Sequence, residues 1–244
     1  MLTVAFEGTA SDSFYALIEK TANEWTAHGG ELKFSFRDKN GAFRHWTATD
    51  TEPAAAIRVS FRSDAKNRGY WSTIGRLADN LDANLPTLNL DGFPQKLLPY
   101  LNSQNLAGWS ASYEHSVVLH EFGHTLGLAH EHFHPDCQAD LKLDLAIAAL
   151  QKSSGWSKEK AQFNLDAVYY FKLIANGSSA FNTTAQYSPH VDRASVMLYD
   201  LADNLYKAGA NSLCKPADDR GFATALSDGD IKFYLDSYRH IEGP

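Results

Sequence analysis

The N-terminal quarter of the chain alternates between strand-like and helix-like patterns of apolar residues. Leu2 to Phe6 predicts a short strand, and Leu32 to Phe36 and Ala55 to Phe61 alternate apolar and polar positions as half-buried strands do. A helical pattern capped by Ser11 or Asp12 runs between the first two, to about residue 28. This succession predicts a sheet backed by a helix.

Further elements follow around an irregular connection at residues 92 to 112. The patterns predict a short strand at Leu85 to Leu90, a helix from about Glu114, and helices at Leu141 to Leu150 and Ser157 to Ile174 that are separated at Gly155. A closing helix is predicted at Asp228 to Tyr238. Ser227 would cap this helix, and Ile231, Leu235 and Tyr238 would lie on its buried side. The mixture predicts an α+β fold.

The stretch from His120 to His130 (HEFGHTLGLAH) has the spacing of a zinc site with its own general base. Helical residues four apart share a face, so His120 and His124 can bind one metal ion while Glu121 flanks its open side. Gly127 can take the left-handed conformation that ends the helix and brings His130 round as a third ligand. Three neutral nitrogens leave the fourth position of one Zn²⁺ for water, and Glu121 can accept its proton during attack on a carbonyl. The pattern predicts amide hydrolysis.

Three other histidines, His115, His132 and His134, crowd the same region without fitting the ligand spacing. Three roles remain open for them: they could support the metal ligands, line a substrate cleft or lie on the surface.

The same stretch resembles the long zinc-binding signature of the metzincin metallopeptidases, and Glu131, after the third histidine, matches the astacin family in particular. Residues Ala54 to Ile74 resemble the astacin strand and following loop, Ser195 to Tyr199 (SVMLY) resembles the Met-turn, and Leu226 to Tyr238 resembles the C-terminal helix. The resemblance is weakest between about residues 136 and 185.

The resemblance implies a single zinc metallopeptidase catalytic domain over residues 1–244. An upper subdomain, about 1–130, would hold a twisted, mostly parallel sheet and two long helices. A less regular, partly helical lower subdomain, about 131–244, would carry the Met-turn. The protein or peptide substrate would lie as an extended strand in the groove between them, along Leu85 to Leu90 as the exposed sheet edge; an ordinary paired strand is the alternative.

The resemblance also implies roles for single residues. Tyr199 would ligate the metal at rest, beside His120, His124 and His130, and would hydrogen-bond the tetrahedral oxyanion during attack, as a catalytic residue next to Glu121. A buried structural tyrosine is the alternative. Met197 would pack beneath the imidazoles. Glu131 would meet the mature amino terminus or a bridging water.

Composition places the chain among ordinary globular proteins, with 244 residues, 44% hydrophobic and 21% charged. A formal net charge of −7 without a basic cluster argues against nucleic acid or an anionic membrane as partner. No apolar run has the length of a membrane span. We expect a monomer.

Two cysteines, Cys137 and Cys214, lie in no metal-binding pattern. Paired outside the cell, they would close a loop of about 77 residues and stabilise the fold by roughly 4 kcal/mol; two unrelated thiols are the alternative. The first residues lack the pattern of a signal peptide, whereas the astacin resemblance implies secretion. We expect an extracellular protein.

The sequence therefore predicts a zinc-dependent endopeptidase with an astacin-like mechanism. Two interpretations from other classes stay open. The chain could be a zinc-containing peptide-binding module without turnover, or a toxin or effector protease that cuts one target. Kinship with serralysins lies within the same chemistry, although the glycine-rich calcium repeats are missing.

Overall fold

The computed structural model describes residues 1–65, 67–103, 105–177 and 187–239. The chain divides into two compact units, one made of Met1–Leu128 with Thr224–Pro244 and the other of Ala129–Ala223.

The first unit holds the strands β1 Leu2–Glu7, β2 Phe34–Ser35, β3 His45–Trp46, β4 Ile57–Ser60, β5 Tyr70–Ser72 and β6 Leu88–Leu90, and the helices α1 Asp12–Ala22, α2 Phe93–Lys96, α3 Leu98–Ser103, α4 Leu106–Ser110, α5 Tyr113–Thr125 and α10 Asp228–Tyr238, with 3₁₀ turns at Trp25–His28 and Gly75–Asn80. The second unit holds the helices α6 Pro135–Asp140, α7 Leu143–Ser154, α8 Lys158–Leu165 and α9 Ala167–Gly177, with 3₁₀ turns at Glu131–Phe133, Asp203–Leu205 and Gly209–Asn211.

The sheet is mixed but mostly parallel, as predicted. Its strand order is β2-β1-β4-β6-β5, and β3 also pairs with β1. The pairs of β1 with β2, β3 and β4, and of β4 with β6, are parallel, while β5 pairs antiparallel with β6. Together with the helices this confirms the predicted α+β fold class.

Strand β4 is buried on both faces, so the predicted half-buried alternation is wrong. Arg58 and Ser60 occupy the positions expected to face solvent, and both are buried. The Arg58 guanidinium donates hydrogen bonds to the carbonyls of Leu85, Ala55 and Asp82, which lets a polar residue lie inside a covered sheet.

The predicted edge strand is also placed differently. Residues Leu88–Leu90 pair with β4 on one side and with β5 on the other. Strand β5, Tyr70–Ser72, therefore forms this edge of the sheet among the described strands. Three residues carry too little alternation for the sequence to predict this strand.

The first helix is shorter than predicted. Ser11 caps α1 by accepting a hydrogen bond from the Phe14 N–H, but the α-helix ends at Ala22 and continues as the 3₁₀ turn at Trp25–His28. The Trp25 indole N–H donates to the carbonyl of Leu119, 2.9 Å away, and so joins this turn to α5. Helices α1 and α5 pack against each other beside the sheet.

The closing helix α10 begins as predicted, with Ser227 and Asp230 forming a capping box. Its buried face centres on Tyr234, whose hydroxyl donates to the carbonyl of Leu32. Ile231, Leu235 and Tyr238, predicted to be buried, are half-buried. The buried position is Tyr234, one residue before the predicted Leu235. The Tyr234 ring packs so closely on Gly30 that a Cβ on that glycine would overlap it.

In the second unit, the helix predicted for Ser157 to Ile174 is two helices. Asp166 lies between α8 and α9, and its carboxylate accepts a hydrogen bond from the Tyr169 N–H at 3.1 Å. Such a cap starts a new helix. Gly155 ends α7, as predicted, and it does so in the left-handed conformation (φ 65°).

Cys137 and Cys214 form a disulfide. Both sulfurs lie in the core of the second unit, among Leu141, Ala146 and Tyr206. The disulfide closes a loop across 77 residues and ties α6 to the segment after the last 3₁₀ turn.

None of the described helices is long and apolar enough to cross a lipid bilayer.

Candidate metal centre

Helix α5 carries the first two candidate ligands. Ser112 caps the helix by accepting a hydrogen bond from the His115 N–H at 3.1 Å. His120 and His124 lie one turn apart, with ring centroids separated by 4.7 Å and ring planes nearly perpendicular. This is the geometry that the four-residue spacing predicts.

The chain leaves α5 through a Schellman turn. The Leu128 N–H donates to the carbonyl of Gly123 at 3.2 Å, and the Gly127 N–H donates to the carbonyl of His124 at 2.9 Å. Gly127 has a φ of 96°, in the left-handed region that favours glycine. The turn directs the chain to His130 three residues later.

The turn also fixes the tautomer of one ligand. The carbonyl oxygen of Leu128 lies 2.8 Å from Nδ1 of His124, so Nδ1 carries the proton and donates to that oxygen. The lone pair of His124 is thereby on Nε2, available for a metal ion.

The structure brings three imidazoles together. Candidate ligand nitrogens of His120, His124 and His130 all lie within 4.8 Å of one another. Three neutral imidazoles at this separation are a donor set that Zn²⁺ binds, with a fourth position left for water.

Glu121 is buried beside these histidines, only 5% exposed. Burial raises the pKa of its carboxyl group from 4.5 to about 8. Its Oε2 atom is buried and has no hydrogen-bond partner among the described residues. A carboxyl group held in this way is stabilised as the anion when a cation lies close by. The residues present therefore fit a bound divalent metal ion.

Tyr199 lies against the third histidine. Its ring centroid is 4.4 Å from that of His130 and 4.8 Å from that of His132. His130 is buried, and Tyr199 is half-buried. The predicted Met-turn residue Met197 is buried, and its carbonyl accepts a hydrogen bond from the Glu131 N–H at 2.9 Å. This bond joins the segment after His130 to the turn before Tyr199.

The Glu131 carboxylate accepts a hydrogen bond from the backbone N–H of Asp192 at 2.8 Å and another from the Ser188 hydroxyl at 3.3 Å. These two hydrogen bonds tether the 188–192 segment to Glu131. The contact with an amino terminus or a bridging water that the resemblance implies for Glu131 stays a prediction.

The other three histidines are all buried, which excludes the surface role left open for them. His115 contacts the carboxylate of Glu24 at 2.9 Å and packs edge-on against Trp109. His134 contacts the carbonyl of Ser188 at 3.0 Å. His132 packs on His130 and Tyr199. No sequence pattern indicates the contact between His132 and Tyr199, because it depends on where residue 199 returns in the fold.

The fold and the histidine cluster define the class of protein: a mixed α+β fold with a candidate three-imidazole metal centre on α5 and the segment that follows it.

Solved structures share this fold. Myroilysin is 24% identical, with a TM-score of 0.66 over 98% of this chain and 92% of that one, and a second myroilysin structure is 22% identical, with a TM-score of 0.54 over 98% and 83%. High choriolytic enzyme 1, a hatching enzyme zinc-protease from the medaka fish Oryzias latipes, is 16% identical, with a TM-score of 0.51 over 97% and 88%. No family model matches the sequence, and no curated protein matches it. At these identities the likeness establishes the fold.

Proposed function

We propose that the protein is a zinc-dependent endopeptidase. The observation that carries the proposal is the convergence of candidate ligand nitrogens of His120, His124 and His130 within 4.8 Å, with the buried Glu121 next to the first of them. The astacin-like fold, which the zinc-protease of medaka shares, supports the same activity.

In this proposal His120, His124 and His130 would hold one zinc ion per chain, and the phenol of Tyr199 would join them at rest. A bound zinc ion supplies Lewis acidity and brings the pKa of a water molecule down to about 7. Glu121 accepts the proton of the attacking water and returns it to the departing amine, since a general base becomes a general acid in the second step. Tyr199 donates a hydrogen bond to the oxyanion that develops on the scissile carbonyl.

The proposed substrate is a protein or peptide bound as an extended strand. Strand β5 is the sheet edge nearest α5, and the two elements pack together within the first unit. An edge strand offers backbone donors and acceptors to a peptide that adds as one more strand. We therefore assign the substrate-binding edge to Tyr70–Ser72 instead of to Leu85–Leu90.

We further propose that the protein acts as a monomer and is secreted. The disulfide between Cys137 and Cys214 supports an oxidising compartment. The net charge of −7 supports a partner other than nucleic acid or an anionic membrane surface.

The test is hydrolysis of casein and of a quenched fluorescent peptide library, with zinc, with chelator, and with zinc restored. Glu121→Gln should keep one zinc ion and lose nearly all turnover, while Glu114→Gln, a matched change in the first turn of α5, should behave as wild type. Zinc bound by Glu121→Gln together with undiminished hydrolysis would remove Glu121 from the mechanism. Zinc and peptide binding without turnover in wild type would indicate a binding module, and cleavage of one target alone would indicate an effector protease.

A further inference from the structure

His132 lies in the middle of a cluster of rings that includes two proposed metal ligands. Its ring stacks on that of His130, with centroids 4.9 Å apart and planes 18° apart. The same ring contacts Tyr199 at 4.8 Å, while His130 and Tyr199 are 4.4 Å apart. Each of the three rings therefore touches the other two, at the separations favoured by packed aromatic groups.

The His132 ring is itself held from outside this cluster. Its Nε2 lies 2.7 Å from the carbonyl oxygen of Asn164, in the last turn of α8. Carbonyls in the last turn of a helix lack an intrahelical partner, so this oxygen is free to accept the Nε2–H of His132. The contact fixes both the tautomer and the plane of the imidazole.

The backbone of His132 is anchored as well. The side-chain amide of Gln138 donates to the carbonyl of His132 at 2.9 Å and to the carbonyl of Leu165 at 3.0 Å. The amide oxygen of Gln138 accepts from the Ala167 N–H at 3.1 Å. One side chain thus joins the turn that carries His132 to the end of α8 and the start of α9.

We propose that His132 is a positioning residue for the metal centre, which fixes the ring planes of His130 and Tyr199 by packing against both. The inference rests on the zinc site of the proposed function. Without the His132 ring, His130 and Tyr199 would each gain rotational freedom that must be lost again when zinc binds, so zinc affinity should fall although no ligand has been removed. A misdirected Tyr199 phenol should also lower kcat at saturating zinc.

The first measurement is the zinc dissociation constant, obtained by competition with a chromophoric chelator and independent of activity. His132→Ala should raise it about tenfold or more. The matched control is His134→Ala, which removes another buried histidine from the same segment. The described ring contact of His134 is with Tyr187 instead of with a proposed ligand, so its zinc dissociation constant should stay within threefold of wild type.

The second measurement tests whether position 132 needs a flat ring or only a side chain of similar volume. His132→Phe keeps a flat ring, whereas His132→Leu fills similar space without one. The Phe variant should bind zinc at least fivefold more tightly than the Leu variant. If the Ala variant fails to fold, this comparison tests whether the ring of His132 positions the ligands. His132→Leu should lower kcat at saturating zinc by a smaller factor in a Tyr199→Phe background than in wild type. The reason is that Tyr199→Phe has already removed the hydroxyl that the Leu substitution would misdirect.

Equal zinc affinity in the Phe and Leu variants, or equal losses in His132→Ala and His134→Ala, would overturn the inference while leaving the peptidase proposal intact. Wild-type protein that binds no zinc would overturn both. Wild-type protein that binds zinc and cuts no peptide would overturn the peptidase proposal alone, since the affinity comparisons would still be informative about positioning.

Discussion

Gly127→Ala tests whether the Schellman turn after α5 matters for the metal centre. Gly127 has a φ of 96°, and a Cβ built on it would meet no heavy atom within 4 Å. The substitution therefore causes no clash, and its cost is the backbone strain of a left-handed alanine, about 1–2 kcal/mol. The variant can bear this strain, or it can relax φ and move the segment that leads to His130.

These two responses set the expected magnitude. If the zinc-bound protein requires the native turn while the metal-free protein relaxes, the whole strain appears as lost zinc affinity. A cost of 1–2 kcal/mol corresponds to about a 5- to 30-fold higher zinc dissociation constant. If the turn does not relax, the same energy appears as a lower free energy of unfolding in the metal-free protein.

Gly155→Ala is the matched control. Gly155 ends α7 with a φ of 65°, and a Cβ on it would likewise meet nothing within 4 Å. It should lose similar stability in urea unfolding of the metal-free protein and keep wild-type zinc affinity. A Gly127→Ala protein that keeps wild-type stability without metal, and so has relaxed its turn, yet binds zinc as tightly as Gly155→Ala would refute the argument that the turn at Gly127 shapes the site.

Three further predictions concern the site and the fold. Burial raises the pKa of Glu121 from 4.5 to about 8 in the folded metal-free protein. At pH 7 the folded protein therefore keeps a proton on Glu121 that the unfolded chain has released, and this lowers the free energy of unfolding by about 3 kcal/mol. This loss of stability grows as the pH rises from 4.5 to 8. Glu121→Gln should therefore raise the free energy of unfolding of the metal-free protein far more at pH 7 than at pH 5, measured by urea titration. Equal gains at both pH values would contradict the raised pKa of Glu121. Tyr199→Phe should lower kcat by about ten- to a thousand-fold with little change in KM or zinc content, and unaltered steady-state kinetics would exclude its hydroxyl from the reaction. Replacing Cys137 and Cys214 with serine should lower the free energy of unfolding by roughly 4 kcal/mol, as the closed loop of 77 residues predicts, and a loss below 1 kcal/mol would show that the disulfide is strained or that the unfolded chain is already compact.

The local parts of the candidate site could be predicted from the sequence. The approach of His120 to His124 follows from helical geometry, and the turn at Gly127 follows from the lack of a Cβ. Both depend on residues close together in the chain, where a short pattern determines the conformation.

Features that depend on distant residues were predicted poorly. The order of strands β6 and β5 is set by pairing across the sheet, and the three residues of β5 carry no pattern that assigns them to an edge. The disulfide partners are 77 residues apart, so the sequence left their pairing open. The contact of His132 with Tyr199 depends on the return of the chain through a segment in which the resemblance to astacins is weak.

Two of the features that differ from the prediction do have a local cause. Asp166 precedes Tyr169 by three residues, which is the spacing of a helix cap, and it marks the break between α8 and α9. The apolar and polar alternation of β4 places Arg58 on the solvent side, although a guanidinium with enough carbonyl partners can be buried.

The central claim is that three imidazoles hold one zinc ion, and the most direct test is anomalous diffraction at the zinc edge from crystals of the zinc-supplemented protein. The account predicts one zinc ion per chain, about 2.0–2.1 Å from nitrogens of His120, His124 and His130, with His124 bound through Nε2. A crystal of folded protein without zinc at this position, or with zinc bound by other side chains, would contradict the account.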